Sequence, residues 1–381
     1  MRKNFLPLSV PDIGDEEINE IADSIKSGWI TTGPKVKKFE KEFSEFTKSK
    51  YAIAVNSATA GLHITYTAMN LKGKKVITTP LTFVSTVNML LASGAEVVFA
   101  DIDKKTLNID IKQIEEKLKQ GASAIVPVHF AGIPCDMDEI VKLAKKYNAK
   151  IIEDCAHAIG TTYKRKHAGT FGNAGVFSFH PIKNITTGEG GMVITDNQDL
   201  ANKLMLLRFH GMDKDAWKRY DKTGKIGYDI VELGFKYNMM DIQAAIGIHQ
   251  LKKVKYFNEK RKNIAQYYRN ELSNLEEISL QEFPDYEFEH PWHLFVIILK
   301  TNKITRQQLM DELKKRNIGT SIHFPAVFSF SYYKKLSFTG EDCPNASFVG
   351  NNILSLPLFP KMTIEDAEYV ITSLKEIFSK L

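Results

Sequence analysis

The sequence predicts an α/β fold in which a large domain holds a mainly parallel, seven-stranded sheet and a smaller C-terminal α+β domain follows. Seven short apolar runs alternate with amphipathic segments through the first two-thirds of the chain, which is the pattern of a parallel sheet with connecting helices. Several of these runs are apolar without alternation, as expected for strands covered on both faces. A long helical pattern then leads into a second, shorter unit.

The elements of the large domain follow one another in chain order. Amphipathic helices are predicted at Ile111–Lys119 and Met137–Tyr147, where apolar side chains recur at helical spacing. The last apolar runs lie close together with little helix between them, so we expect part of the sheet to be antiparallel. The predicted strands are residues 52–55, 76–79, 96–100, 124–128, 150–153, 175–179 and 192–195.

The elements of the smaller domain are predicted from the pattern that follows. A long helix starts at residues 241–252 and runs on toward Leu272. A strand at 293–299 and a helix at 305–316 come next. The final helix begins after Thr363, which is a good N-cap ahead of a regular apolar face.

The boundary between the two domains is expected inside the long helix. The chain shows no internal repeat and no low-complexity segment there that would indicate a flexible linker. We therefore predict a large domain at residues 1–250 and a small domain at residues 251–381.

Composition and charge predict a soluble, cytoplasmic protein that binds neither nucleic acid nor a membrane. The 381 residues include 51 basic and 45 acidic side chains, which gives a formal net charge of +6. The basic residues are interspersed with acidic ones, so no block resembles a nucleic-acid-binding tail, and the mild positive charge suits an anionic small molecule. The N-terminus lacks the apolar core of a signal peptide, and no apolar run reaches the ~18 residues of a membrane span.

The cysteines indicate neither a disulfide framework nor a metal centre. Cys135, Cys155 and Cys343 are few, odd in number and widely spaced. This usage fits a reducing compartment, and we expect no metal ion.

The most informative stretch is residues 176–191. A predicted strand leads into a polar, glycine-rich turn, and Lys183 stands just past the end of that strand. Strand carboxyl ends are where α/β sheets place their sites, and a lysine that bonds to a carbonyl group must be partly desolvated to be nucleophilic. A solvated surface lysine is the alternative, but Ser178 and the Thr186-Thr187 pair favour a built site.

A carboxylate follows directly on another predicted strand. Burial of Asp154 would be costly without a cationic partner, and a protonated pyridine nitrogen would be such a partner. The alternative is that Asp154 caps the next helix. His157, three residues on, packs against a cofactor or is a satisfied core histidine, and its nearness to Asp154 favours the first interpretation.

Two further stretches place polar residues at the start of a helix. Residues 56–63 follow a strand with small polar side chains, and free backbone N–H groups at such a point bind phosphate, although Ser and Thr caps also serve ordinary helices. In residues 234–245 a polar, aromatic-rich loop enters a helix. Its simplest interpretation is a helix start capped by Asn238 or Asp241.

Together these stretches resemble the DegT-type (StrS-type) sugar aminotransferases, a branch of the fold-type-I enzymes that use pyridoxal 5′-phosphate (PLP). The resemblance covers nearly the whole chain and implies both the fold-type-I architecture and PLP as the cofactor. The other motifs that carry it are residues 28–34, 79–86, 99–103 and 354–360.

The resemblance implies a role for each matching residue at the cofactor. Lys183 bonds to the cofactor and Asp154 pairs with its pyridine nitrogen, so these two are the implied catalytic residues. Phe83 lies against the ring face and His157 lies near the ring. Ser178 holds the phosphate together with Thr59 and Ala60, and Asn238 contacts it from the other subunit.

A homodimer with shared active sites follows from that last contact. The sugar nucleotide is then expected across the subunit interface. Its candidate contacts are Trp29, Thr31, Lys236, Tyr237 and His323.

The implied activity moves an amino group from L-glutamate to a nucleotide-linked keto sugar, with 2-oxoglutarate as the other product and ping-pong kinetics through pyridoxamine phosphate. Residues 234–241 and 323–326 are most similar to aminotransferases that act at C4 of UDP-4-keto sugars, hexoses or pentoses, including the enzyme of lipid A modification. This implies a place in amino-sugar, polysaccharide or lipopolysaccharide biosynthesis.

Several alternatives stay open at this point. One is an aminotransferase for a 3-keto sugar carried by dTDP or GDP. Related dehydratases carry a histidine where this chain has Lys183, which argues against dehydration. Amino acid transaminases use an arginine clamp in the C-terminal domain, but no motif marks Arg306 or Arg316 as one. A non-catalytic PLP-binding regulator is disfavoured by the intact set of Lys183, Asp154 and Ser178.

Overall fold

The central sheet of the computed structural model confirms the predicted α/β fold. The structure describes residues 2–213 and 228–381. Its strands are β1 (Tyr51–Val55), β2 (Lys75–Thr78), β3 (Glu96–Phe99), β4 (Ala124–Val126), β5 (Lys150–Asp154), β6 (Thr162–Tyr163), β7 (Lys166–His167), β8 (Ala174–Ser178), β9 (Gly191–Thr195), β10 (Ile278–Leu280), β11 (Phe288–Glu289), β12 (Phe295–Leu299) and β13 (Ile353–Leu356). In the described residues the large sheet has the order β1-β9-β8-β5-β4-β2-β3. Strand β9 is antiparallel to both neighbours, and the other pairs are parallel.

The helices include the three that the sequence placed most clearly, at Ile111–Lys119, Met137–Tyr147 and Asp241–Leu272. They are α1 (Asp15–Ser27), α2 (Pro34–Thr47), α3 (Ala58–Ala68), α4 (Val84–Ala92), α5 (Ile111–Lys119), α6 (Met137–Tyr147), α7 (Gln198–Leu207), α8 (Asp241–Leu272), α9 (Arg306–Lys315), α10 (Ser331–Lys335), α11 (Pro344–Asn352) and α12 (Ile364–Phe378). In the described ranges, none of these helices combines the length and the apolar character that a membrane crossing requires.

A close approach of α3 to the sheet fixes the direction in which this helix points. Gly61 lies over β8 and β9, where an added Cβ would stand 2.9 Å from Val176 Cγ1 and 3.1 Å from Val193 Cγ2. Only a residue without a side chain allows this contact, because carbon atoms pack at about 3.5–4.0 Å. The contact holds the N-terminus of α3 beside the carboxyl end of β1, where the functional cavity lies.

The C-terminal unit packs an antiparallel sheet, β10-β12-β13, against helices α8, α9 and α12. Its core also takes in Leu6 from the start of the chain, which exchanges backbone hydrogen bonds with Asn317 (2.8 Å) and Gly319 (2.7 Å). The predicted division of the chain at residue 250 falls inside α8 and stays a prediction.

Asp241 joins the first residue of α8 to the start of α2. It is fully buried, and its carboxylate accepts hydrogen bonds from the backbone N–H groups of Gly33 (2.7 Å), Lys35 (3.0 Å) and Val36 (3.0 Å). The first turn of a helix has N–H groups without intrahelical partners, and Gly33, the N-cap of α2, has no side chain to satisfy them. Asp241 therefore caps α2 from a distant part of the sequence.

We predict that Asp241→Ala lowers the free energy of unfolding by about 3 kcal/mol, because it leaves two buried N–H groups and one partly buried N–H group without acceptors. Urea unfolding followed by circular dichroism measures this difference. Asp285→Ala, at an exposed aspartate, is the control and should change stability by less than about 0.5 kcal/mol. Equal stability of the Asp241→Ala variant and the unmodified protein would show that the cap contributes nothing.

Candidate active site

A cavity of about 540 Å³ opens at the carboxyl ends of strands β1, β2, β4, β5 and β8. This is the edge at which parallel sheets bind ligands, and the volume lies in the range of small-molecule sites. Residues 321–325 and Phe330 close the cavity from the C-terminal part of the chain. The site is therefore built from elements that are far apart in the sequence.

Lys183 lines this cavity five residues past the end of β8, as the sequence predicted. Its backbone N–H donates to the carbonyl of His180 (2.8 Å), which holds the turn that presents the side chain. Burial lowers the pKa of Lys183 to about 8, and the negative charge of Asp154 opposes this shift. About a tenth of the amine is then neutral, and thus nucleophilic, at pH 7.

Asp154 ends strand β5 and lines the same cavity, with only 4% of its surface exposed. Its carboxylate accepts hydrogen bonds from Thr86 Oγ1 (2.7 Å) and from the backbone N–H of Ala156 (3.1 Å). Burial raises the pKa of Asp154, while these two hydrogen bonds and the charge of Lys183 oppose the shift. The alternative of a helix cap is wrong, because β5 leads to β6 without a helix between them.

His157 lies in the wall of the cavity as a neutral imidazole. Its ring stacks on Phe324, with ring centres 5.7 Å apart and planes inclined by 21°. Its Nδ1 accepts a hydrogen bond from the backbone N–H of Ala131 (3.3 Å). Burial, aided by the charge of Lys183, lowers the pKa of His157 well below its usual value. The side chain therefore offers a flat, uncharged surface to a ligand.

The N-terminus of α3 supplies the polar end of the cavity. Ser57 is the N-cap and accepts from the backbone N–H of Ala60 (3.1 Å). Ser57, Thr59 and Ser178 line the cavity, so an anion there would meet hydroxyl groups and the positive end of the helix dipole. Ala60 was also predicted to contact the phosphate, but it does not line the cavity and its N–H is taken by Ser57.

Phe83 and His323 also line the cavity. Phe83 is 56% exposed, and its ring centre lies 5.9 Å from that of Phe324. His323 is buried and its Nδ1 lies 2.9 Å from Ser355 Oγ. Burial and the charge of Lys183 lower the pKa of His323 to about 4, so this ring is also neutral at physiological pH.

The other predicted contacts do not line the cavity within this chain. Asn238 is bonded to Thr32 in a separate cavity of about 110 Å³. Trp29 is 43% exposed and Thr31 is exposed. The Lys236 ammonium lies 4.3 Å from the ring centre of Phe209, and the Tyr237 hydroxyl lies 3.1 Å from His63 Nδ1. Their roles at a ligand stay predictions.

Two residues near the central charges escaped the sequence analysis. Thr86 donates a hydrogen bond to Asp154 from helix α4, and His293, two residues before β12, lies with its Nε2 3.4 Å from the Lys183 amine. Thr86 belongs to the motif at residues 79–86, but nothing in that motif indicates its contact with Asp154, 68 residues away. His293 opens a predicted apolar strand, and nothing local distinguishes it.

Glu153, which precedes Asp154 in β5, belongs to a buried cluster of polar side chains. Its carboxylate is satisfied by hydrogen bonds from the protein and not by a metal ion. His129, Glu153 and Cys155 have potential ligand atoms within 4.8 Å of one another. The Glu153 carboxylate, however, accepts from the backbone N–H groups of Gly169, Phe171 and Gly172 and lies 3.0 Å from His129 Nε2. These hydrogen bonds hold the loop that precedes β8.

Comparison with known proteins gives consistent matches over the full length. The profile described as the DegT/DnrJ/EryC1/StrS aminotransferase family matches residues 11–375. The spore coat polysaccharide biosynthesis protein SpsC of Bacillus subtilis is 44% identical over 99% of this chain and 98% of its own.

Solved structures agree with this result. PseC of Helicobacter pylori, an aminotransferase involved in the biosynthesis of pseudoaminic acid, superposes with a TM-score of 0.92, 30% identity and full coverage of both chains. Spr1654 of Streptococcus pneumoniae, solved in a PLP form and a PMP form, superposes with TM-scores of 0.90 and 0.91 at 30% identity over at least 98% of each chain.

We predict that Thr86→Val lowers stability in a pH-dependent way. The hydrogen bond from Thr86 favours the ionised carboxylate of Asp154, so its loss raises the pKa of Asp154 further. A carboxyl pKa raised by folding costs stability as the pH rises through that pKa. The difference between the cofactor-free variant and the unmodified protein should therefore grow from pH 5 to pH 8, to about 1–2 kcal/mol.

Urea unfolding at both pH values measures the effect. Thr65→Val is the matched control, because Thr65 is equally buried but donates to the carbonyl of Gly61 inside α3. Its effect should not depend on pH. The same pH-independent loss in both variants would contradict the assignment.

Proposed function

We propose that this chain, which belongs to the DegT/DnrJ/EryC1/StrS aminotransferase family, transfers an amino group from L-glutamate to C4 of a UDP-linked keto sugar. The chain is an enzyme, a sugar aminotransferase that uses PLP. The observation that carries the proposal is the presence of Lys183 and a buried Asp154 in one cavity at the carboxyl ends of neighbouring strands.

The residues around the cavity fit PLP. Asp154 is a buried carboxylate whose two hydrogen bonds leave it facing a cavity, and a cationic ring nitrogen is the partner its burial calls for. Flat side chains, Phe83 and His157, line the walls. Ser57, Thr59 and Ser178 offer hydroxyl groups to a phosphate. When bound, PLP supplies an electron sink for the charge left when a proton leaves the amino-bearing carbon.

Within this proposal Lys183 holds the cofactor and then moves protons. Its amine has a pKa of about 8, close enough to physiological pH that the same nitrogen can both accept and release a proton. The negative charge of Asp154 would keep a proton on the ring nitrogen of the bound cofactor, because the carboxylate and the nitrogen would be shielded from water. Because one cavity serves the amino donor and the sugar in turn, we propose ping-pong kinetics.

A homodimer is part of the proposal. Asn238 lies outside the cavity of its own chain, and exposed apolar side chains surround its loop: Trp29, Ile30, Leu233 and Met240. Exposed apolar surface of this kind favours a protein interface. In the dimer, residues 29–31 and 236–238 would reach the partner's cavity and meet the sugar nucleotide beside His323.

The C4 position and the uridine nucleotide rest on the similarity of residues 234–241 and 323–326 to UDP-4-keto sugar aminotransferases. SpsC and PseC take part in polysaccharide and pseudoaminic acid biosynthesis, which supports a role in amino-sugar or polysaccharide biosynthesis, in the cytoplasm, where nucleotide sugars are made. The second candidate is amination at C3 of a dTDP or GDP sugar.

We predict that Lys183→Ala abolishes turnover, by at least about 10³-fold, and removes the near-visible absorbance of the lysine-bound cofactor. Steady-state assays and absorbance spectra measure the two effects. Lys112→Ala, at an exposed lysine of α5, should change neither. Full activity in the Lys183→Ala variant would refute the mechanism.

We predict that L-glutamate alone converts the absorbance of the cofactor-loaded protein to that of the amine form, and that a UDP-4-keto sugar restores it. Each half-reaction is followed by spectrophotometry and by mass spectrometry of the sugar. A spectrum that glutamate leaves unchanged would favour a non-catalytic binding protein. Amination of a 3-keto sugar in place of a 4-keto sugar would overturn the assignment of position.

A further inference from the structure

His293 lies next to Lys183 but does not line the cavity. His293 Nε2 is 3.4 Å from Lys183 Nζ, at the long end of hydrogen bonding, and the side chain is 2% exposed. It belongs to the segment just before β12 in the C-terminal unit and is 110 residues from Lys183 in the sequence. Catalytic hydrogen bonds are often long before ligands bind, so this distance is consistent with a hydrogen bond whose direction depends on where the protons lie.

The neighbouring Asn184 settles which nitrogen of His293 carries the proton. Asn184 Nδ2 lies 2.6 Å from the carbonyl oxygen of Pro291, an atom that can only accept, so the amide NH₂ must point there. Its other N–H points at Asn258 Oδ1 (2.7 Å). Asn184 Oδ1 therefore faces His293 Nδ1 (3.1 Å) and accepts from it. With the proton on Nδ1, a neutral His293 presents the lone pair of Nε2 to Lys183.

The surroundings keep this imidazole neutral and in place. The groups that act on it are His157, whose ring centre is 4.3 Å away, together with Lys183, Arg261 and His323. All of them are cationic or neutral. Burial, aided by these groups, lowers the pKa of His293 well below its usual value. Arg261 also donates to the carbonyls of His293 (3.3 Å) and Leu358 (2.7 Å), which fixes the backbone.

We infer that His293 is a positioning residue for Lys183, whose N–H it accepts through Nε2. One N–H of the lysine is then directed away from the cavity, which leaves the other N–H and the nitrogen lone pair of the neutral amine on the cavity side, where bonds and protons are exchanged. The same hydrogen bond favours the ammonium form and limits how far burial depresses the basicity of the lysine. This inference rests on the proposed role of Lys183.

If the role of His293 were purely structural, its ring would only fill space against His157. Two substitutions distinguish this packing role from the acceptance of a hydrogen bond from Lys183. His293→Phe keeps the ring and its stacking but has no acceptor. His293→Gln loses the ring but can bring a carbonyl oxygen to the position of Nε2.

The first measurement is the pKa of Lys183 itself. The full-length protein, freed of cofactor, is treated with a trace of acetic anhydride across a pH series, and acetylation of Lys183 is quantified by mass spectrometry. The unmodified protein should titrate near pH 8. His293→Phe should lower this pKa by about one unit, because the ammonium loses its acceptor, and His293→Gln should stay within about 0.3 units. The labelling requires no substrate, so its outcome is independent of the proposed reaction.

The second measurement is the glutamate half-reaction of the cofactor-loaded enzyme in single turnover. His293→Phe should slow it about 10- to 100-fold and show a larger isotope effect with α-deuterated glutamate, with an unchanged half-saturating glutamate concentration. His293→Gln should recover most of the rate. A failure of glutamate to react with the unmodified enzyme would refute the proposed function, and the labelling result would still stand.

His290→Phe is the matched control. His290 lies in the same segment and stacks on Trp292, with ring centres 4.1 Å apart. Its Nδ1 accepts a hydrogen bond from the backbone N–H of Trp292, and it does not contact Lys183. Should His293→Phe not fold, His293→Asn replaces it, because its shorter amide reaches Asn184 but not the lysine. A Lys183 pKa within about 0.3 units of the unmodified value in the folded Phe or Asn variant would overturn the inference.

Discussion

The burial of two opposite charges at the ends of neighbouring strands is the constraint on which the site depends. Strands β5 and β8 pair in parallel, with Asp154 opposite Val176, so the carboxylate and the turn that carries Lys183 emerge at one edge of the sheet. Burial acts on both in the direction of neutrality, raising the pKa of the acid and lowering that of the amine. Their mutual attraction opposes both shifts. The result is a carboxylate and an amine whose pKa values burial moves toward each other.

Holding such a pair requires hydrogen bonds from elsewhere in the fold. Thr86 reaches Asp154 from α4, and His293 reaches Lys183 from the C-terminal unit. Helix α8 contacts α1, α2 and α12, so it ties the sheet domain to that unit. Asp241, at its first residue, satisfies the buried N-terminus of α2. Helix α8 therefore supports both the packing of α2 and the position of the C-terminal unit that supplies His293.

The sequence predicted what depends on local pattern. Every strand of the large sheet was placed within two residues, because apolar runs and helical periodicity are short-range signals. Asp154 and Lys183 could be found for the same reason, since Asp154 directly follows such a run and Lys183 stands in the turn after another. Thr86 and His293 could not, because their contacts join residues 68 and 110 positions apart and depend on the register of the packed chain. The separation of Asn238 from the cavity likewise appears only in three dimensions.

The charge of the cavity bears on why a second subunit would be needed. Among the described residues that line it, Lys183 is the one lysine or arginine, and burial lowers the pKa values of His157 and His323 so that both rings are neutral at physiological pH. Asp154 and Glu189, which also line the cavity, offset that charge. A phosphate and a nucleotide diphosphate would bring several negative charges into a region where this chain supplies no excess of positive charge, which is costly without compensation. Lys236 and the amide of Asn238 lie outside the cavity of their own chain, where a partner's cavity could use them.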